Sequence, residues 1–358
     1  FSKGMMKYGS VGGFYISPML VAIGYIVGPI FIGVWFLGAV VGDFGILIFG
    51  QKFGFFTLQQ ATDIKQSLGL GMMVGTGIGI LIKGILPNLK KIFGAMFSKE
   101  NTGDSILPMR WAPIFLVLLV FVLTYVCNLG IIASVITIIG VWLTTSMSSQ
   151  CVGQSGINPM EIFGIFVLLV VKTISSIGQN EALFVAAIVA IACGLTGDVM
   201  NDFKAGHILK TNAKAQWIAE VIGGFIGAIV SVFVFYFMLK AYGGNAFNDG
   251  TFAAAQAHAV SAMIKGISNY PVFMFGLVAA AILYCLKLPV MTFGLGVYLP
   301  FYLSATAFIG GALRFIVDKF LPNFEKESKG QIIASGVLGG EGVVGVVIAI
   351  IVAVKAIA

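Results

Sequence analysis

Apolar runs punctuated by glycine fill most of the chain, and short polar joints separate them. Two of the runs read WAPIFLVLLVFVLTYVC (111–127) and QWIAEVIGGFIGAIVSVFVFYFML (216–239). A hydrocarbon core about 30 Å thick takes about 20 residues of helix. The pattern therefore predicts an all-α, polytopic integral membrane bundle of about ten spans. The first block, Phe14 to Phe49, is broken at Gly28-Pro29, because proline lacks an N–H and clashes with the preceding turn. Later spans are predicted near 68–86, 111–127, 129–147, 160–177, 181–197, 215–240, 271–287, 289–309 and 331–356.

Two joints hold more than a turn. Residues 198–213 (DVMNDFKAGHILKTNA) are polar and basic, and 243–270 contain the amphipathic stretch TFAAAQAHAVSAMIKGI. The joints at 87–110, 198–214 and 310–330 are the most basic, which places them in the cytoplasm. The third falls one crossing out of step with the other two. Met291 to Ile309 is the segment to suspect, since Gly294, Gly296 and Pro300 sit within it. It reads either as a discontinuous or re-entrant helix beside a pathway or as an ordinary span with a proline kink. Glycines recur four apart at Gly24/Gly28, Gly38/Gly42, Gly71/Gly75/Gly79, Gly223/Gly227 and Gly336/Gly340, the spacing of closely packed membrane helices. No tandem repeat stands out. Transporters often carry inverted repeats, and a partial chain can have lost one partner.

Composition agrees with the pattern. Charged residues are 10% of the chain against about 25% in soluble domains. The net charge of +7 sits largely in the joints, which accounts for it without nucleic acid. Cys127, Cys151, Cys193 and Cys285 show no C-x-x-C spacing, and His207 and His258 stand alone, so no metal site is expected. The chain begins at Phe1 with no signal-peptide pattern, and reads as a partial chain lacking upstream spans. H-E-x-x-H and P-loop motifs are absent, and the G-x-G-x-x-G at Gly340, Gly342 and Gly345 lies inside an apolar span. Neither an enzyme nor a cofactor is expected.

Ionisable groups within spans are the informative residues, because a charge in hydrocarbon needs a cavity or a partner. Glu341 sits about ten residues into the last span among glycines. Glu220 lies one turn inside its span, Lys172 deep in EIFGIFVLLVVKTIS, and Glu161 at that segment's start. Each is alternatively a snorkelling side chain or one half of a structural pair. Asp198 and Asp202, four apart, share a helix face. They read equally as a proton or cation site and as a solvated helix start with Asp198 as N-cap.

Several segments resemble the oligopeptide transporter family, which includes the yellow-stripe-like metal-chelate transporters. The strongest is GDVMNDFKAGHILKTNAKAQWIAEVIG (197–223). SPMLVAIGYIVGP (17–29), GINPM (156–160), GVYLPFYLSATAFIGGALR (296–314) and ASGVLGGEGVVGV (334–346) follow the family's order. The resemblance covers about two thirds of a family member, its C-terminal part. It implies proton-coupled uptake of small peptides or metal chelates. It points to Asn158, Pro159, Asp198, Asp202, Lys204, Gln216, Glu220, Pro300, Arg314 and Glu341.

The expectation is a secondary transporter forming one transmembrane domain over 1–358. Glu341, then Asp198, Asp202 and Glu220, are the proton-coupling candidates. Lys172 or Arg314 would hold a substrate carboxylate, with Tyr298, Asn158 and Gln216 as neutral polar contacts. Expected partners are the substrate, protons and the lipid bilayer, with an oligomer open. The excess of lysine over arginine and the short loops fit a multi-pass protein of a prokaryotic plasma membrane. The alternative is a channel or passive pore for small polar solutes.

Overall fold

The computed structural model describes residues 2–80, 82–83, 86–88, 112–155, 158, 160–247, 257, 260–261 and 267–357. All regular structure among them is helical. Helix α1 is Pro18–Val27, with Ser17 as N-cap accepting from the Leu20 N–H and Pro18 in the first turn. Gly28 follows at φ +90°, a left-handed conformation that favours glycine, and Pro29 starts α2 (Pro29–Ala39). The helix continues as a π-helical stretch, Val40–Phe49. Then come α3 (Leu58–Ile80), α4 (Ala112–Tyr125), α5 (Ile131–Ser155), α6 (Met160–Ile174), α7 (Gln179–Leu209) and α8 (Ala213–Tyr242). The last are α9 (Tyr270–Cys285), α10 (Val290–Tyr298), α11 (Phe301–Phe320) and α12 (Lys329–Ile357).

Six described helical stretches have the length and apolarity to cross a membrane, and Pro18–Val27, Pro113–Tyr125 and Tyr270–Cys285 are shorter apolar helices. The expected count of about ten is therefore reached only in part. The basic joint at 89–110, His258 and most of the amphipathic stretch before Ile267 lie outside the described residues. The break expected within 291–309 is present: α10 ends at Tyr298, and Pro300 caps α11. Two boundaries differ from expectation. Helix α3 starts ten residues earlier than the apolar run, because its first turns bury Lys65 with a partner. Helix α7 runs through the joint at 198–209, since nothing between Leu195 and Leu209 breaks a helix; Lys210, left-handed at φ 59°, ends it. Asp198 is thus mid-helix, and its reading as an N-cap is corrected.

The chain forms two compact units. One comprises Phe1–Thr76, Ser231–Ala255 and Ile267–Ala358; the other comprises Gly77–Val230 and Gln256–Gly266. In the second, α7 packs on α5 and α6, and α4 on α5.

The first unit contains a repeat. Pro18 and Pro29 are eleven apart, as are Pro289 and Pro300, and the offset between the pairs is 271 (289 − 18). The same offset carries Phe44 to Phe315, Phe49 to Phe320, Phe53 to Phe324, Gln60 to Gln331, Gly69 to Gly340 and Gly71 to Gly342. It also carries Leu58, where α3 starts, to Lys329, where α12 starts. So α1, α2 and α3 correspond to α10, α11 and α12. The contacts obey the correspondence. A Cβ at Gly310 would strike Val21 and Tyr25; one at Gly296 would strike Trp35 and Ala39, and Gly296 and Ala39 are the counterparts of Tyr25 and Gly310. Gly24 opposes Ala307 while Val21 opposes Gly310, so α1 and α11 run antiparallel; Gly38 with Phe293 and Trp35 with Gly296 show the same for α2 and α10. The two broken helices are an inverted pair, the build that lets backbone breaks face a protein-lined interior.

Candidate functional site

Charged groups of the first unit gather on the inverted pair. Asp43 lies in the π-helical stretch, a local widening often found at functional sites. It is 1% exposed, and its partner Lys65 is 6% exposed. Lys65 Nζ is 2.6 Å from Asp43 Oδ2, and Ser10 Oγ donates to Oδ1 at 2.6 Å. A Cβ on Gly42 would sit 2.8 Å from the Val297 carbonyl and 3.2 Å from Lys65 Cε, so glycine makes room for the lysine stem beside the end of α10. Neither residue was singled out from the sequence. The available signal was that Asp43 is the one charge between Lys7 and Lys52.

Arg314 is the counterpart of Asp43 in the repeat. Its Nε donates to Asp318 at 2.9 Å, and Nη1 lies 2.6 Å from Glu325 Oε1, near enough for an ion pair though out of line for a hydrogen bond. Tyr25 donates its hydroxyl to Glu325 Oε2 at 2.8 Å, and the guanidinium lies 5.3 Å from the Tyr25 ring centre. Arg314 is therefore engaged within the protein. Tyr298 ends α10, half-buried, with its Cβ against Gly69.

Glu341 is half-buried on α12. Its Oε1 accepts from Ser17 Oγ at 2.9 Å and its Oε2 from the Met19 N–H at 2.5 Å. It thus sits at the N-terminus of α1, where the helix dipole favours a negative charge. No ion pair to Glu341 is formed among the described residues. Gly339, Gly340 and Gly342 beside it face open space.

The second unit holds the other candidates. Asn158 Nδ2 donates to the Cys193 carbonyl at 2.9 Å, and its Oδ1 accepts from Ser148 Oγ, so it ties α5 to α7. Asp198 and Asp202 on α7 are exposed and neighbour Glu220 on α8. Gln216 stands beside them and donates to the Asp202 carbonyl at 2.6 Å. A Cβ on Gly206 would overlap the Gln216 amide oxygen, which gives the glycine of FKAGH a packing role. Lys172 is exposed in the last turn of α6 rather than deep in a span.

Membrane-length helices, two of them broken and inverted, with ionisable groups on their faces, define a polytopic helical membrane protein of transporter build. The chain belongs to the oligopeptide transporter family: the family model described as OPT oligopeptide transporter protein matches residues 2–352. A Haemophilus influenzae protein assigned as an oligopeptide transporter is 27% identical over 201 residues, covering 48% of this chain and 32% of that protein. The metal-nicotianamine transporter YSL2 of Arabidopsis thaliana is 29% identical over 97 residues, 25% of this chain and 14% of the relative. A rice protein, probable metal-nicotianamine transporter YSL11, is 25% identical over 169 residues, 42% and 24%. The chain thus matches no more than about a third of the length of these relatives, all of which carry transporter descriptions rather than enzyme descriptions.

Proposed function

We propose that the chain is part of a secondary transporter that moves oligopeptides or peptide-like metal chelates across a prokaryotic plasma membrane, driven by protons. The seat of Glu341 carries the reading. A carboxylate inside a membrane-length helix is held by a hydroxyl and a backbone N–H at the start of a broken helix, without an ion pair among the described residues. Such a group can take up a proton without leaving a cation stranded. The neighbouring carboxyls of Asp198 and Asp202 on α7 and Glu220 on α8, joined by the Gln216–Asp202 hydrogen bond, are the second candidate for the coupling site. The relatives' descriptions, which name oligopeptides and metal-nicotianamine, support this choice of substrate classes.

The test is uptake of labelled tri- and tetrapeptides, and of an iron chelate, into proteoliposomes of the full-length parent under an inward proton gradient. Accumulation of one class, abolished by a protonophore, is the expected result. No accumulation of any of them across an intact gradient would reject the reading.

A further inference from the structure

The inverted pair is close to symmetric, but the third helices are not. On one side α3 meets α10 with Met72 and Gly69 against Gly294, and Gly69 against Tyr298. The offset of 271 turns these into Val343 and Gly340 against Ile23, and Gly340 against Val27. Those contacts are not formed. Instead Ala334 packs with Ala22 and Tyr25, while Gly340 faces open space. The register of α12 on α1 therefore differs from that of α3 on α10 by about nine residues, or ~14 Å at the helical rise.

We infer that the two halves of the repeat occupy the two registers of a working cycle. In the exchanged state α12 slides along α1, and α3 along α10, by about nine residues. This rests on the transporter reading, which requires two states. The glycines support it: Gly69 and Gly71 on α3 are filled by Tyr298 and Phe273, whereas their counterparts Gly340 and Gly342 meet no other described residue, a smooth face along which α12 can move. Packing between α12 and α1 is also loose, with an apolar cavity of about 370 Å³ lined by Pro18, Ala22, Tyr25, Ala334 and Val337.

Among the described residues, Lys65 with Asp43 and Ser67 with the Asn269 N–H hold α3, and Glu341 with Ser17 and Met19 holds α12. Sliding α3 takes Lys65 from Asp43, because Asp43 stays with α2 and α10, whose backbones are locked at Gly38 and Gly296. Sliding α12 takes Glu341 from Ser17 and Met19 toward the Gly28–Pro29 break. A carboxylate leaving its donors inside a membrane costs far more than a neutral carboxyl does. The slide therefore goes with a proton on Glu341, and Asp43–Lys65 is the latch. Facing groups are Ser17 and Met19 for Glu341, and Ser10 and Lys65 for Asp43; in the observed register Arg314, Asp318 and Glu325 pair with one another near Tyr25.

The full-length parent, with its native cysteines replaced, tests this in detergent without any substrate. The pair Ala22→Cys/Ala334→Cys reports the observed register, and Val27→Cys/Gly340→Cys the exchanged one, each read as an intramolecular disulfide by mass spectrometry of proteolytic peptides. The Val27/Gly340 disulfide is expected to rise several-fold from alkaline to mildly acidic pH, and in a Glu341→Gln background, as the Ala22/Ala334 disulfide falls. An Ala22/Ala334 pair that closes fully under every condition, with no closure of Val27/Gly340, overturns the inference. Nitroxide labels at the exposed positions Ile16 and Val343 give an independent reading. Two distance populations several ångströms apart are expected, the longer one in the exchanged register; a single population that ignores pH overturns it. Two registers without any uptake would reject the transport reading alone, and uptake with one register would reject the slide alone.

Discussion

Lys65→Met is expected to destabilise the protein by about 3–5 kcal/mol, among the largest single effects in the chain. The reason is what it leaves behind. Asp43 is 1% exposed and, among the described residues, has Lys65 and Ser10 as its polar partners, so removing the ammonium strands a carboxylate away from water. The pair itself need not be strongly stabilising, since desolvating both charges offsets most of their attraction. The double variant Asp43→Asn/Lys65→Met should therefore recover most of the loss, because no charge remains. Thermal unfolding in detergent of the two singles and the double measures this. Equal and additive losses would show that the charges do not depend on each other.

Gly310→Ala should reverse the usual sign of a glycine-to-alanine change. In an exposed helix interior alanine is favoured by about 1 kcal/mol. At Gly310 the new methyl would meet the Val21 carbonyl and the Tyr25 amide nitrogen, backbone atoms that cannot rotate away. The α1–α11 contact must then open, and a loss at or above the usual overpacking range of about 1–3 kcal/mol is expected. Gly24→Ala, against the Ala307 carbonyl, should behave alike. Gly223→Ala and Gly227→Ala, where the new methyl meets no other described element within 4 Å, should be neutral or stabilising. A thermal-shift comparison that ranks all four together would contradict the packing described here.

Much of this was legible in the sequence because the membrane imposes a simple rule. Apolar length announced helices, and Gly28-Pro29 and Pro300 announced breaks, since no side-chain context repairs a missing N–H or a left-handed turn. Glu341 was legible as a charge among glycines, and the structure adds its partners at Ser17 and Met19. Helix ends were less legible. Polarity at 58–67 and 198–209 suggested joints, yet buried pairing of Lys65 and the lack of any breaker extend both helices. Asp43–Lys65 was not legible, because a pair 22 positions apart on different helices leaves no local spacing. The repeat was hidden for a related reason. Its halves are 271 residues apart and share little beyond prolines, phenylalanines and glycines, the residues that set backbone geometry rather than side-chain chemistry.

In the proposed cycle, a proton on Glu341 drives transport. The most direct measurement is transport by Glu341→Gln in proteoliposomes of the full-length parent, with gradient-driven accumulation and gradient-free substrate exchange assayed side by side. Glutamine keeps the side chain's length and mimics the neutral carboxyl. Accumulation should fall by on the order of tenfold or more and lose its pH dependence, while exchange persists. Accumulation at the parental rate with the parental pH profile would show that Glu341 merely caps α1 and that the coupling proton rides elsewhere.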